Sequence, residues 1–286
     1  MSKPDFLLIG AMKCGTTTLA AQLAAQDGIF LTVPKEPNYF SDDDVYTMGP
    51  DWYAALFADA GAGDLKGEAS THYTKLPTYP QTIARAKAAL DAPKLVYLIR
   101  NPVERAMSHF HHGWSRGNLS EDVVAEFAAN PEFIEYGRYA MQIAPWIDAF
   151  GVEAVHLTSL EALQARPQDI LSEVARFIGH PGAVSWDESR ARENVSSQRP
   201  RPLPLHGLLV DNPVAAALRR ALVPKSLRTW IREKRQMTER PALPATLREA
   251  LEVQFAEDHA ALAQLFPAAD LAPSYPFLSP LKGAAE

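Results

Sequence analysis

Phe6-Leu7-Leu8-Ile9-Gly10-Ala11-Met12-Lys13-Cys14-Gly15-Thr16-Thr17-Thr18-Leu19 reads as a buried strand, a glycine-bounded loop and the start of a helix. The continuous apolar run Phe6 to Ile9 fits a parallel strand covered on both faces, and Leu19 with Leu23 resumes at helical spacing. Gly10 and Gly15 have the G-x-x-x-x-G spacing of a phosphate-binding loop, but the Walker form places Lys-Ser/Thr after the second glycine, where this chain has Thr16-Thr17. Its lysine, Lys13, lies inside the loop. Such a strand-to-helix turn points backbone N–H groups and the positive end of a helix dipole at one place, and Thr16, Thr17 and Thr18 add hydroxyl donors. It is suited to an oxyanion.

Outward from this loop the same alternation continues. Ile29 to Val33 is a second strand candidate, stopped by Pro34, and Leu95 to Ile99 is a third, stopped by Arg100-Asn101-Pro102; Leu65 to Ala69 and Ala154 to Leu157 are weaker ones. Asn101 as N-cap, Pro102 at the first helical position and Glu104 at the third, where a capping box closes, start a helix. Neither apolar strand is followed by a Walker-B aspartate, since Arg100 comes after Ile99 and Pro34-Lys35 after Val33. A Mg-nucleotide hydrolase or kinase is disfavoured on that ground. The expected fold is α/β: a P-loop-like central parallel sheet flanked by helices, with a helical C-terminal part. One domain over residues 1–286 is expected, with the α/β core in 1–190 and a mainly helical extension in 191–286. Eleven of the 23 prolines lie between Pro200 and Pro280. Leu247, Leu251, Phe255, His259, Leu262 and Phe266 mark one face of a terminal helix, followed by an irregular tail from Pro273.

Composition narrows the function. With 28 Lys+Arg against 34 Asp+Glu the formal charge is −6, which gives no general footprint for nucleic acid. Residues 219–240 hold eight Lys+Arg and two Glu and are locally basic. No apolar stretch approaches the roughly 18 residues of a membrane span, and Phe6 to Met12 is too short for a signal peptide. Cys14 stands alone, so no internal disulfide forms, and a reducing cytoplasm is the expected location.

Three groups of side chains extend the anion loop. Glu36 sits between Pro34 and Pro37, which predicts a stiff extended segment holding a carboxylate at the carboxyl edge of the sheet, as a general base is held. A solvated Lys35-Glu36 turn is the plainer alternative. Arg100 offers a guanidinium fork and Ser108, near the second turn of its helix, one hydroxyl toward a further phosphate. His109 and His112 have the i, i+3 spacing of metal ligands, but without a matching partner they read as helix residues near a substrate mouth, and no metal is expected.

Lys13-Cys-Gly-Thr-Thr-Thr18-Leu19, Pro34-Lys-Glu-Pro-Asn-Tyr-Phe40 and Tyr97-Leu-Ile-Arg100-Asn-Pro-Val-Glu-Arg105-Ala-Met-Ser108 together resemble the sulfotransferases that use 3′-phosphoadenosine 5′-phosphosulfate (PAPS). The likeness is to bacterial members and to the heparan sulfate N- and 3-O-sulfotransferase branch, and it continues weakly through Gly137-Arg138-Tyr139 to the terminal helix. The resemblance implies that Lys13, Cys14, Gly15, Thr16, Thr17 and Thr18 hold the 5′-phosphosulfate, with Lys13 at the bridging oxygen. It implies that Arg100 and Ser108 hold the 3′-phosphate, and that Glu36 is the base. Lys35, His72 and His112 fall on the acceptor side, and His72 is the next candidate base. Arg199 and Arg201 are candidates for a late PAPS-gripping loop. Gly67-Glu68-Ala69-Ser70 departs from the Gly-Glu-Lys-Ser element of the glycan branch, which argues against a heparan-type acceptor site. A small-molecule or glycan acceptor is implied, and its identity and the oligomeric state stay open. An atypical P-loop kinase and a nucleotide-binding module without chemistry are the competing readings.

Overall fold

The computed structural model describes residues 3–192 and 240–278. Its centre is a sheet of parallel strands, β1 (Phe6–Gly10), β2 (Ile29–Leu31), β3 (Leu65–Ala69), β4 (Lys94–Ile99) and β5 (Val155–Ser159), in the order β2-β3-β1-β4-β5. Every residue of β1 is buried, as its unbroken apolar run requires, and Phe6, Leu7 and Leu8 pair with Gly67, Glu68 and Ala69 on one side. On the other side they pair with Lys94, Leu95 and Val96. The chain leaves β1 toward β2 on one side and leaves β4 toward β5 on the other, so the loops after these neighbouring strands diverge. That divergence opens a crevice at the carboxyl ends of the strands, where open α/β sheets bind ligands.

β2 stops two residues short of the expected Val33. Thr32 N makes a last ladder bond to Gly67 O, and by Val33, which is 84% exposed, the segment has left the sheet to form the loop that carries Glu36. Helix Pro102–Ser115 begins as expected, with Asn101 Oδ1 accepting from Val103 N and Glu104 N at 3.0 and 3.2 Å. The capping box does not close. Asn101 N donates instead to Glu161, 2.9 Å away, and Glu104 pairs with Arg248 at 3.2 Å. A distant carboxylate therefore does what the local one was expected to do.

The terminal helix Ala245–Leu265 buries Leu251, Phe255 and Leu262. Its Asp258 is also buried and accepts from Ala140 N and Met141 N, satisfying the first turn of helix Tyr139–Phe150 from outside. The tail is not irregular throughout, since Ala272–Ser274 and Pro276–Leu278 are 3₁₀ turns that seat Tyr275, 1% exposed. Around helix Pro102–Ser115 a second apolar cluster joins Val103, Phe110, Trp114, Phe127 and Phe133 to Leu251 and Phe255. Among the described residues no helix is long and apolar enough to cross a membrane.

Candidate active site

The loop after β1 is built around its glycines. A Cβ at Gly10 would stand 1.9 Å from Thr74 Oγ1, which donates to Ile9 O, so the 3₁₀ turn Thr71–Thr74 lies directly on the loop. Gly15 caps helix Thr16–Leu23 with φ 91°, a left-handed conformation that glycine adopts without penalty. Thr18 N and Leu19 N return to Gly15 O. The N–H groups of Gly15, Thr16 and Thr17 have no acceptor among the described residues, which leaves them open to an anion.

These groups face a cavity of about 1260 Å³ that is also lined by Lys13, Thr18, Arg100 and Ser108. Glu36, His72, His109 and His112 lie on its walls too. Cys14 is not brought there. Its N–H is spent on Ala11 O at 3.2 Å, and its thiol is buried 3.5 Å from Tyr139 OH, with burial pushing its pKa up to about 11. Tyr139 OH in turn donates to Arg100 O at 2.8 Å, so one buried phenol ties the anion loop to the strand end that carries Arg100. Lys35 reaches the cavity only through Glu36. Arg199 and Arg201, and the basic segment apart from Arg240, lie outside the described residues.

The Glu36 segment is not extended. Glu36 and Asn38 take left-handed φ of 62° and 57°, which directs Glu36 N to Ala69 O at 3.0 Å and Asn38 N to Ser70 Oγ at 3.1 Å. The prolines bound the segment, but β3 and the Thr71–Thr74 turn shape it. Lys35 Nζ lies 2.7 Å from Glu36 Oε1, and Thr71 Oγ1 lies 3.4 Å from the same atom. Burial raises the Glu36 carboxyl, but Lys35, by charge and hydrogen bond, together with Lys75 and His72, outweighs it and holds the group below its ordinary range. Burial and Lys75 push His72 down to about 4, and burial with Arg105 and Lys75 pushes His109 down to about 2. Glu36 is thus an ionised carboxylate on this wall at neutral pH, and the histidines are neutral.

Neither Glu68 nor Lys75 had a role in the site by sequence. Glu68, fully buried in β3, accepts from Ser70 Oγ and Tyr73 OH at 2.6 Å each and from Tyr53 OH. Lys75 lines the cavity and is 8% exposed. By sequence Glu68 stood only in the Gly67 to Ser70 element and Lys75 in no motif, and it is the sheet and turn that bury them.

The sulfotransferase domain family model matches residues 3–201. The chain belongs to the sulfotransferase family. It is thereby a member of a family of transferase enzymes. It is 26% identical over 206 residues to the bifunctional heparan sulfate N-deacetylase/N-sulfotransferase 1 of Caenorhabditis briggsae, a match covering 63% of this chain and 23% of that protein. It is 35% identical over 129 residues to the membrane-associated sulfotransferase kil1 of Dictyostelium discoideum, covering 43% of this chain and 26% of that protein. The chain spans about a quarter of the length of the curated relatives it matches. The crystal structure of a sulfotransferase from Alicyclobacillus acidocaldarius superposes with a TM-score of 0.67 at 22% identity, over 95% of this chain and 99% of that one. The sulfotransferase fold accordingly extends beyond the residues that the family model matches.

Proposed function

We propose that this chain transfers a sulfuryl group from PAPS to a hydroxyl or amine of a small-molecule or glycan acceptor. The observation that carries the reading is the convergence, on one cavity, of the open loop N–H groups with Lys13, of Arg100 with Ser108, and of the Glu36 carboxylate. A donor with phosphates at both the 5′ and 3′ positions needs two such anion sites. PAPS supplies the sulfuryl group when bound. Glu36 takes the acceptor proton as the acceptor oxygen or nitrogen attacks sulfur, and Lys13 with the loop N–H groups meets the negative charge that collects on the departing 5′-phosphate. Arg100 and Ser108 hold the 3′-phosphate away from the reacting atoms. The relatives named for heparan sulfate support a glycan among the acceptors, whereas the Gly67-Glu68-Ala69-Ser70 departure supports one of a different type.

The test is thermal unfolding with PAP, the desulfated nucleotide, against ATP with Mg²⁺. At a hundredfold excess over its dissociation constant PAP should stabilise by about 2.7 kcal/mol, a rise of about 5 °C. An equal rise with Mg-ATP, or none with PAP, overturns the reading.

A further inference from the structure

Lys75 is a buried lysine on the cavity wall. Its side chain lines the cavity at 8% exposure, and among the described residues its ammonium makes no hydrogen bond or ion pair. Its nitrogen lies over the face of Tyr136, 5.8 Å from the ring centre. Its backbone is held in place. Lys75 O accepts from Tyr79 N at 3.2 Å, and Leu76 is clamped at both N and O by the Gln142 amide at 2.8 Å.

The groups around it do not supply the missing charge. Burial, with Arg105 and Lys35, lowers its pKa to about 8 against the pull of Glu36. Glu36 is the carboxylate that attracts it, and Lys35 already bonds that carboxylate at 2.7 Å. His72 on the same turn and His109 on helix Pro102–Ser115 are neutral, and Arg105 adds a buried positive charge whose Nε and Nη1 lack partners. A desolvated ammonium is costly unless an anion or acceptor meets it. The nucleotide's anionic groups already have Lys13, the loop N–H groups, Arg100 and Ser108, whereas Lys75 stands on the Glu36 side.

We propose that Lys75 is the acceptor-anchoring cation: its ammonium takes an oxyanion, a carboxylate or an ester-linked sulfate, carried by the acceptor beside the group that Glu36 deprotonates. The acceptors of this chain are then acidic molecules. The inference rests on the sulfotransferase reading above, and the experiment separates the two.

The probes are 4-hydroxyphenylacetate against its amide, and glucose 6-sulfate against glucose, added to PAP-saturated protein labelled with ¹³Cε-lysine. The Lys75 resonance is assigned with Lys75→Arg and titrated with pH. A bound oxyanion favours the ammonium, so at least one acidic probe should raise the Lys75 midpoint by about 0.5 pH unit or more while its neutral partner leaves it in place. Lys75→Gln should bind that acidic probe about tenfold more weakly and no better than the neutral partner. Acidic probes that leave the midpoint unchanged up to their solubility, or neutral ones that move it equally, overturn the proposal. So does a midpoint raised by PAP alone, which would make Lys75 a nucleotide ligand. If PAP gives no melting shift the nucleotide reading fails by itself, and the same probes on the nucleotide-free protein still decide the role of Lys75.

Discussion

Glu36 is pulled two ways, and Lys35 decides the outcome. Lys35→Met removes the strongest of the effects that oppose burial, so the acid limb of the kcat/KM profile should move to higher pH. A base is active above its pKa, and activity is lost as pH falls through it, so a limb that stays in place would show that another group accepts the proton. Glu36→Gln keeps shape without basicity and should lower single-turnover rates by about 10²–10⁴ with PAP affinity intact. Lost PAP affinity in the same preparation would return Glu36 to a structural role. Ser108→Ala removes one hydrogen bond to a charged group and should weaken PAP by about 1.5–3 kcal/mol, with little effect on a ligand lacking the 3′-phosphate. Calorimetric titration with PAP and with AMP reads that difference directly.

At the scale of elements, the loop holding Glu36 is latched to β3 through hydroxyls that a single carboxylate orients. Glu68 accepts from Ser70, Tyr73 and Tyr53; Ser70 Oγ then accepts from Asn38 N, and Tyr73 OH from Phe40 N at 3.4 Å. Burial raises the Glu68 carboxyl while its three O–H donors draw it back down, and a carboxylate satisfies all three where an amide cannot. Glu68→Gln places an N–H₂ group among those hydroxyls. The expected cost is about 1–3 kcal/mol in urea unfolding, together with slower turnover because Glu36 loses its fixed position. Unchanged turnover in a destabilised variant would confine Glu68 to folding. Helix Pro102–Ser115 presents Ser108 from a start held by the Asn101 cap, so Asn101→Ala should cost about 1 kcal/mol.

For the whole molecule, the buried neutral histidines set an acid limit. His109 packs edge-on against Phe133 and flat on Tyr136, and its pKa falls from 6.5 to about 2. Below pH 6.5 the unfolded chain binds a proton there that the folded chain does not, so folding stability drops as pH falls, by at most about 1.4 kcal/mol per pH unit for this residue. Glu68 and Asp258, whose carboxyls are raised by burial, act in the opposite sense, gaining stability toward acid. The difference between His109→Leu and the parent chain isolates the histidine. It should shift in the variant's favour as pH is lowered from about 6.5 to 5 in melting experiments, and a difference independent of pH would show that His109 is protonated in the fold.

The features readable from the chain alone are those whose cause is local. Phe6 to Ile9 must be buried on both faces wherever it lies, Gly15 is the residue that tolerates φ 91°, and Asn101-Pro102 starts a helix by its own side chain and ring. The positions of Lys13 to Thr18, Glu36 and Arg100 were legible for the same reason, since each follows a strand end, and Ser108 was legible from the start of its helix. Tertiary structure decided the rest. Pro34 and Pro37 suggested an extended loop, but bonds from β3 and Ser70 bend it; Glu104 was placed to close a capping box, but Glu161 from after β5 took the donor. Cys14 sat in the anion loop by sequence and in the core by packing, because Tyr139, from a helix 125 residues away, draws its thiol inward. Lys75 and Glu68 show the same limit. Whether a charge is solvated or buried is fixed by what folds over it, and no spacing along one segment records that.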